Sequence, residues 1–135
     1  MIYMEEKWSL RLIRIAALFG LLGTVLGSHM AGSGSYAFRP VHAHILLVGW
    51  LSMFAWGIFY KSYKVKAQKL ISVQGWTAII GATGLSAGMW LQFLEPFGEN
   101  KALSLPLYIG GGSILLLSFV LFAVITFTVK PNTDK

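Results

Sequence analysis

Four long apolar runs, separated by short polar breaks, make up most of this 135-residue chain. The first extends from about Trp8 to Gly27, the second from Pro40 to Tyr63, the third from Leu70 to Leu94 and the fourth from Leu103 to Val129. Each reaches the length of about 20 residues that a helix needs to cross the hydrocarbon of a bilayer. The breaks are of three kinds. Ser28–Ser35 is rich in glycine and serine, as a turn should be. Lys61, Lys64, Lys66 and Lys69 interrupt the hydrophobicity after the second run, and Glu95-Pro96-Phe97-Gly98-Glu99-Asn100-Lys101 follows the third. The pattern predicts an all-α integral membrane four-helix bundle, folded as a single domain over residues 1–135. Glu5 and Glu6 precede the first basic residues, and no small-residue cleavage site follows a short apolar core. The first run therefore reads as a retained helix, not a signal peptide.

Composition agrees. The chain is 56% hydrophobic and 12% charged, with a mean hydropathy of +0.66, whereas soluble domains carry about 25% charged residues. The formal charge of +6 would suggest nucleic acid if it formed one patch. It does not. Of the 11 Lys and Arg, only Arg39 and Lys101 fall in the first and third breaks; the others lie at the N-terminus, the middle lysine cluster and the C-terminus. Basic residues stay on the cytoplasmic side of a membrane. Both termini are thus expected in the cytoplasm and all three histidines at the outer face of an inner (cytoplasmic) membrane. The excess charge is topological, the natural partner is a lipid bilayer, and no nucleic-acid partner is implied.

Within the runs, Gly23/Gly27 and Gly84/Gly88 repeat a small-xxx-small spacing that favours close helix contact in lipid. These pairs predict helix association and a homo-oligomer. The third run is the most polar, with Gln74, Thr77, Thr83, Ser86 and Gln92. The fourth opens with Pro106 and Gly110-Gly111-Gly112, and its plain second half is expected to face lipid or another subunit. Trp8, Tyr36, Phe38, Tyr60, Tyr63, Trp90 and Tyr108 lie near run ends and fit interfacial belts. Trp50 and Trp56 lie deeper and are expected inside the bundle, with Met53 and Met89 as packing residues.

Candidate chemistry concentrates in Phe38-Arg39-Pro40-Val41-His42-Ala43-His44, at the mouth of the second run. From His42 to Tyr60 there is no Asp, Glu, Lys or Arg, and those 19 residues make about 28 Å of helix. Ionisable side chains at the edge of such a helix point to a functional site by default. Pro40 suits the first helical turn, which places both histidines at the positive end of the helix dipole. Imidazolium is disfavoured there, and neutral imidazole is the form that binds metal. On a regular helix His42 and His44 point about 200° apart, so they do not converge on one small site. His42 then shares a face with Gly49, Met53 and Trp56, and His44 with Leu51, Ala55 and Ile58. Gly49 would leave room for something flat against the His42 face. His29 comes from the adjoining end of the first run and could meet either ring, and Met30 adds a thioether suited to Cu(I).

The string Phe38-Arg39-Pro40-Val41-His42-Ala43-His44, leading into an apolar helix, resembles the second helix of subunit I of haem–copper oxidases, most closely that of the C-type oxidases and nitric oxide reductases. There, an Arg-Pro-Leu-His-Thr-Asn-like string carries a histidine ligand of low-spin haem b. His42-Ala43-His44 followed by Gly49-Trp50 is also similar to the haem- and copper-associated NnrS membrane family. The resemblance covers residues 36–62, one helix of four. It implies that His42 is an axial haem ligand, with His44 in the place of the asparagine and with Arg39, Gly49 and Trp50 in the cofactor's surroundings. The chain has none of the further histidines that hold the second haem ligand and copper in those enzymes, so the resemblance implies haem binding without oxidase chemistry. Electron transfer or a response to NO or O2 would follow, with a respiratory-chain or quinone partner.

Two other classes stay open: a copper or zinc site using His29, His42, His44 and Met30, and a cofactor-free accessory subunit. Cysteine is absent, which excludes disulfides, thiolate ligands, Cys-bound iron–sulfur clusters and covalent c-type haem. No buried acid pair, serine-nucleophile motif or phosphate-binding glycine loop argues for hydrolysis.

Overall fold

The computed structural model describes residues 3–98 and 101–131; Glu99, Asn100 and Lys135, used above, lie outside the described residues. Four helices are long and apolar enough to cross a membrane: α1 (Met4–Ser33), α2 (Arg39–Ser62), α3 (Gln68–Leu94) and α4 (Lys101–Thr126). They form the expected all-α four-helix membrane bundle. Two three-residue strands, β1 (Tyr63–Val65) and β2 (Val129–Pro131), pair antiparallel beyond the ends of α2 and α4. Glu5 reaches the same place, its Oε1 accepting the Val65 N–H at 3.0 Å and a Gln68 Nε2–H at 2.6 Å. Both ends of the described chain therefore meet the middle connection, and the histidines lie at the opposite end of the bundle.

The first helix differs from expectation. It runs 30 residues, straight through Ser28–Ser33, and stops only where Gly34 turns left-handed at φ 65°. Glycine supplies that conformation without the steric cost of a Cβ. Turn-like composition was overridden because the preceding apolar run propagates the helix, and the connection to α2 shrinks to residues 34–38. His29 and Met30 are consequently helical residues.

The second helix is not regular. Arg39–His44 and Met53–Ser62 are α-helical, but the eight residues Ile45–Ser52 between them form a π-helix. Ser52 Oγ–H donates to the Leu47 carbonyl, five residues back, at 2.8 Å. Hydrogen bonding to i+5 takes more residues per turn, so each residue in this stretch rotates by less than about 100°. Everything below His44 is turned relative to the regular-helix expectation.

The core fills the space between α1, α2 and α3 with Trp8, Leu12, Met53, Trp56, Tyr60 and Ile71, all almost fully enclosed. Trp8 and Tyr60 are thus core residues and not members of an interfacial belt. Trp8 Nε1–H donates to Ser72 Oγ at 3.0 Å. Tyr60 O–H donates to Gln74 Oε1 at 2.8 Å, and Gln74 Nε2–H to Ser118 Oγ at 3.1 Å, joining α2, α3 and α4 by a buried polar chain. In lipid such groups must find partners inside the protein, which explains why Gln74 lies in an apolar run.

Helices α3 and α4 meet backbone to backbone. Gly81 faces Leu115, Gly84 faces Gly111 and Gly88 faces Tyr108; a Cβ on Gly84 would lie 3.2 Å from the Gly111 Cα. Gly23 and Gly27 likewise pack within the chain, against α2. The spacing correctly signalled close contact, but all four of these glycines are used between helices of one chain. They supply no free face for a second copy.

Candidate cofactor site

Three α1 glycines form a ladder on the side facing α2. Trp50 lies over Gly20, Leu46 over Gly23 and the His42 ring over Gly27. A Cβ on Gly27 would stand 3.0 Å from His42 Cε1, so the absence of a side chain there lets the imidazole lie against the helix. At this position the ring reaches the backbone of α1, with His42 Nδ1 2.8 Å from the Gly23 carbonyl oxygen. A carbonyl only accepts, so Nδ1 carries the proton and donates it. The lone pair of the neutral ring is then on Nε2.

His44 repeats the logic on its own helix. Its Nδ1–H donates to the Pro40 carbonyl four residues back at 3.0 Å, again leaving the lone pair on Nε2. The two rings take different partners, one on α1 and one on α2, as the angular spacing predicts. His29 is exposed and stands edge-on to Phe38 with ring centroids 5.9 Å apart. Met30, the next residue, is buried at 8% exposure. Arg39 is exposed and lies over the Tyr36 ring, 4.6 Å from its centroid. Among the described residues no group of three or more His, Asp or Glu side chains is gathered as a metal site. His29, His42 and His44 are not brought to one point.

The π stretch reassigns the neighbours of His42. Leu46 and Trp50, not Gly49, Met53 and Trp56, continue its stripe along the α1 glycines. Trp50 is therefore 37% exposed, at the edge of the α1–α2 contact, while Trp56 is buried as expected. Gly49 is buried, but the space above it is filled by the Phe19 ring of α1. It leaves no room for a flat ligand.

On the other side of Val41 and Ile45 lies a pocket of about 350 Å³ between α1, α2 and α3. Its walls are almost wholly apolar, from Phe19, Leu26 and Phe38 to Trp90, and no histidine lines it. Ser86 is on its α3 wall, 7% exposed, and its hydroxyl has no hydrogen-bond partner. The sequence marks Thr83 and Ser86 as polar residues in an apolar run, but nothing in it shows that they share a cavity wall. A second cleft of about 520 Å³ lies at the far end, lined by Glu5, Lys61, Lys66 and Lys130 among others.

Compared with protein-family models, curated proteins and solved structures, the chain matches none.

Proposed function

We propose that this is a small haem b-binding protein of the cytoplasmic membrane, with His42 Nε2 as the axial donor near the outer face. The observation that carries the reading is the 2.8 Å hydrogen bond from His42 Nδ1–H to the Gly23 carbonyl. Metal-ligating histidines almost always donate their other ring N–H to a carbonyl, carboxylate or water, which fixes the tautomer and raises the basicity of the ligating nitrogen. The Gly23 carbonyl does this from a neighbouring helix, and Gly27 provides the surface on which the ring rests. Arg39, at the start of the same helix, offers a cation to the carboxylates of a porphyrin. Haem held by one histidine supplies an open iron position for a gas such as NO or O2, whereas two axial histidines suit electron transfer.

One copy presents His42 and His44 in different directions, so a second axial histidine comes from a second copy or a partner subunit. The basic termini and the lysine cluster support an orientation with the far end of the bundle in the cytoplasm.

The test is a visible spectrum of the purified full-length protein after haem loading. The wild type should show a Soret band that His42→Ala abolishes and His44→Ala retains, with an altered spin state. Full haem occupancy in His42→Ala would overturn the assignment. A wild type that takes up neither haem nor metal would overturn the reading as a whole.

A further inference from the structure

At the end of the bundle away from His42, a cleft of about 520 Å³ opens beside the two short strands. Four lysines line it: Lys61 from the last turn of α2, Lys64 from β1, Lys66 just after β1 and Lys130 from β2. The strand register sets Lys64 and Lys130 directly opposite each other, so their side chains leave the same face of the ladder. Like charges in that relation repel, and an anion bound between them converts the repulsion into a shared attraction. Lys64 has contacts of its own, whereas among the described residues Lys61, Lys66 and Lys130 form no ion pair. We infer that this cleft binds the phosphate head of an anionic phospholipid, phosphatidylglycerol being the simplest, with the lysine ammonium groups donating to the phosphate oxygens.

Position, charge and size select that ligand. Helix α2 ends at Ser62 and α4 at Thr126, so the cleft lies where two spanning helices leave the hydrocarbon. Phe127, three residues before Lys130, is 92% exposed, and so bare an apolar ring belongs against lipid. Tyr3 and Tyr63, exposed on the walls of the cleft, are of the amphipathic type that sits at headgroup level. Lipid phosphates are therefore always adjacent to this site, and basic pockets at such a level take anionic heads. Glu5 and Glu6 also line the cleft, but the Glu5 side chain is buried and its Oε1 is taken by the Val65 N–H and Gln68. Four lysines against two carboxylates favour an anion. A phosphatidylcholine head brings a cation of its own to those lysines, which favours a head without an amine. The volume lies in the range of small-molecule sites and exceeds what a bare phosphate fills, so a glycerol head enters while the acyl chains stay in the bilayer. The topological rule for basic residues does not require such a site, since Lys7 and Lys69 satisfy it from exposed positions that do not line the cleft.

Native mass spectrometry of the full-length protein in mild detergent, with phosphatidylglycerol or phosphatidylcholine added, counts the lipids held per chain. One phosphatidylglycerol should bind in a distinct first step, ahead of phosphatidylcholine. It should survive ammonium acetate at about 1 M, where the Debye length is about 3 Å and diffuse attraction to a basic surface is lost. Lys66→Gln and Lys130→Gln should each weaken the first step by about fivefold, the effect of one lysine beside an anionic head. Lys69→Gln changes the charge of this end equally and should bind like the wild type. Unfolding profiles check that the variants are folded, and Lys66→Gln, outside both strands, decides if Lys130→Gln disturbs the strand pairing. An equal loss in Lys69→Gln, several equivalent phosphatidylglycerols with no distinct first one, or no preference over phosphatidylcholine would overturn the inference. Displacement of the lipid by millimolar inorganic phosphate would overturn it too, because a soluble anion would then be a sufficient ligand.

Discussion

The three consecutive glycines of α4 should respond to alanine in opposite directions. Around Gly110 nothing lies within 4 Å of where a Cβ would stand, and at Gly112 the nearest atom is Leu85 Cδ1 at 3.7 Å, ordinary contact distance. At Gly111 the new methyl would overlap the α3 backbone at Gly84 and Leu85, with Leu85 Cα 2.9 Å away. A side chain can swing aside; a helix backbone cannot. Accommodating the methyl means moving α3 and α4 apart, which also loosens the Gly81–Leu115 and Gly88–Tyr108 contacts on either side. Overpacking of this kind costs about 1–3 kcal/mol. Replacing a helical glycine by alanine gains at most about 1 kcal/mol, and less where the denatured chain in detergent keeps its helices. Gly110→Ala and Gly112→Ala should therefore be neutral or stabilising, and Gly111→Ala should lose about 1–2 kcal/mol. Titration from mild detergent into SDS, followed by tryptophan fluorescence, measures all three. If Gly111→Ala is as stable as Gly110→Ala, the backbone contact between α3 and α4 is not as close as described.

Gln74→Leu leaves the enclosed Tyr60 hydroxyl without its acceptor and Ser118 without its donor, and should cost about 1–3 kcal/mol in the same titration. In the Tyr60→Phe background the same change should cost measurably less, because the orphaned hydroxyl is then gone; equal costs would refute the coupling. Reporter fusions at Ser33 and at Val65 should give opposite sides of the membrane, Ser33 outside. The same side for both would refute the four-span topology.

The helices were legible because lipid leaves the backbone few options. A run of 20 or more apolar residues must form its hydrogen bonds internally, so existence and number follow directly from hydropathy. Boundaries were less legible. Ser28–Ser33 has the composition of a turn, yet one apolar run extends the helix until Gly34 supplies the left-handed residue. The glycine spacings announced close packing without saying against what: both Gly23/Gly27 and Gly84/Gly88 meet helices of their own chain. Aromatic residues misled for a related reason. Trp8 and Tyr60 stand near helix ends, as belt residues do, but Ser72 and Gln74 offer them buried partners that only the fold brings near. His42 and His44 were legible as a diverging pair because both lie in the regular α-helical part of α2. Their surroundings were not, since Gly49 and Trp50 lie in the π stretch, where the angle per residue assumed from sequence no longer holds.

That irregularity also sets the α1–α2 contact apart from the α3–α4 contact. Between α3 and α4 the contact is glycine against backbone, and no volume remains for a ligand. Between α1 and α2 the contact is glycine against large side chains: His42, Leu46 and Trp50 each take a place on the ladder Gly27, Gly23 and Gly20. A regular helix would carry His42 and Trp50 about 80° out of line over eight residues, too far for both to follow one straight row. The slower rotation of the π-helix brings them back into line. Such π segments are rare and are found frequently at functional sites. Val41 and Ile45, on the adjacent face of α2, border the apolar pocket. The upper end of α2 thus carries a hydrogen-bonded imidazole against α1 on one face and borders a cavity on the next, and the π stretch below continues the first of these contacts down to Trp50.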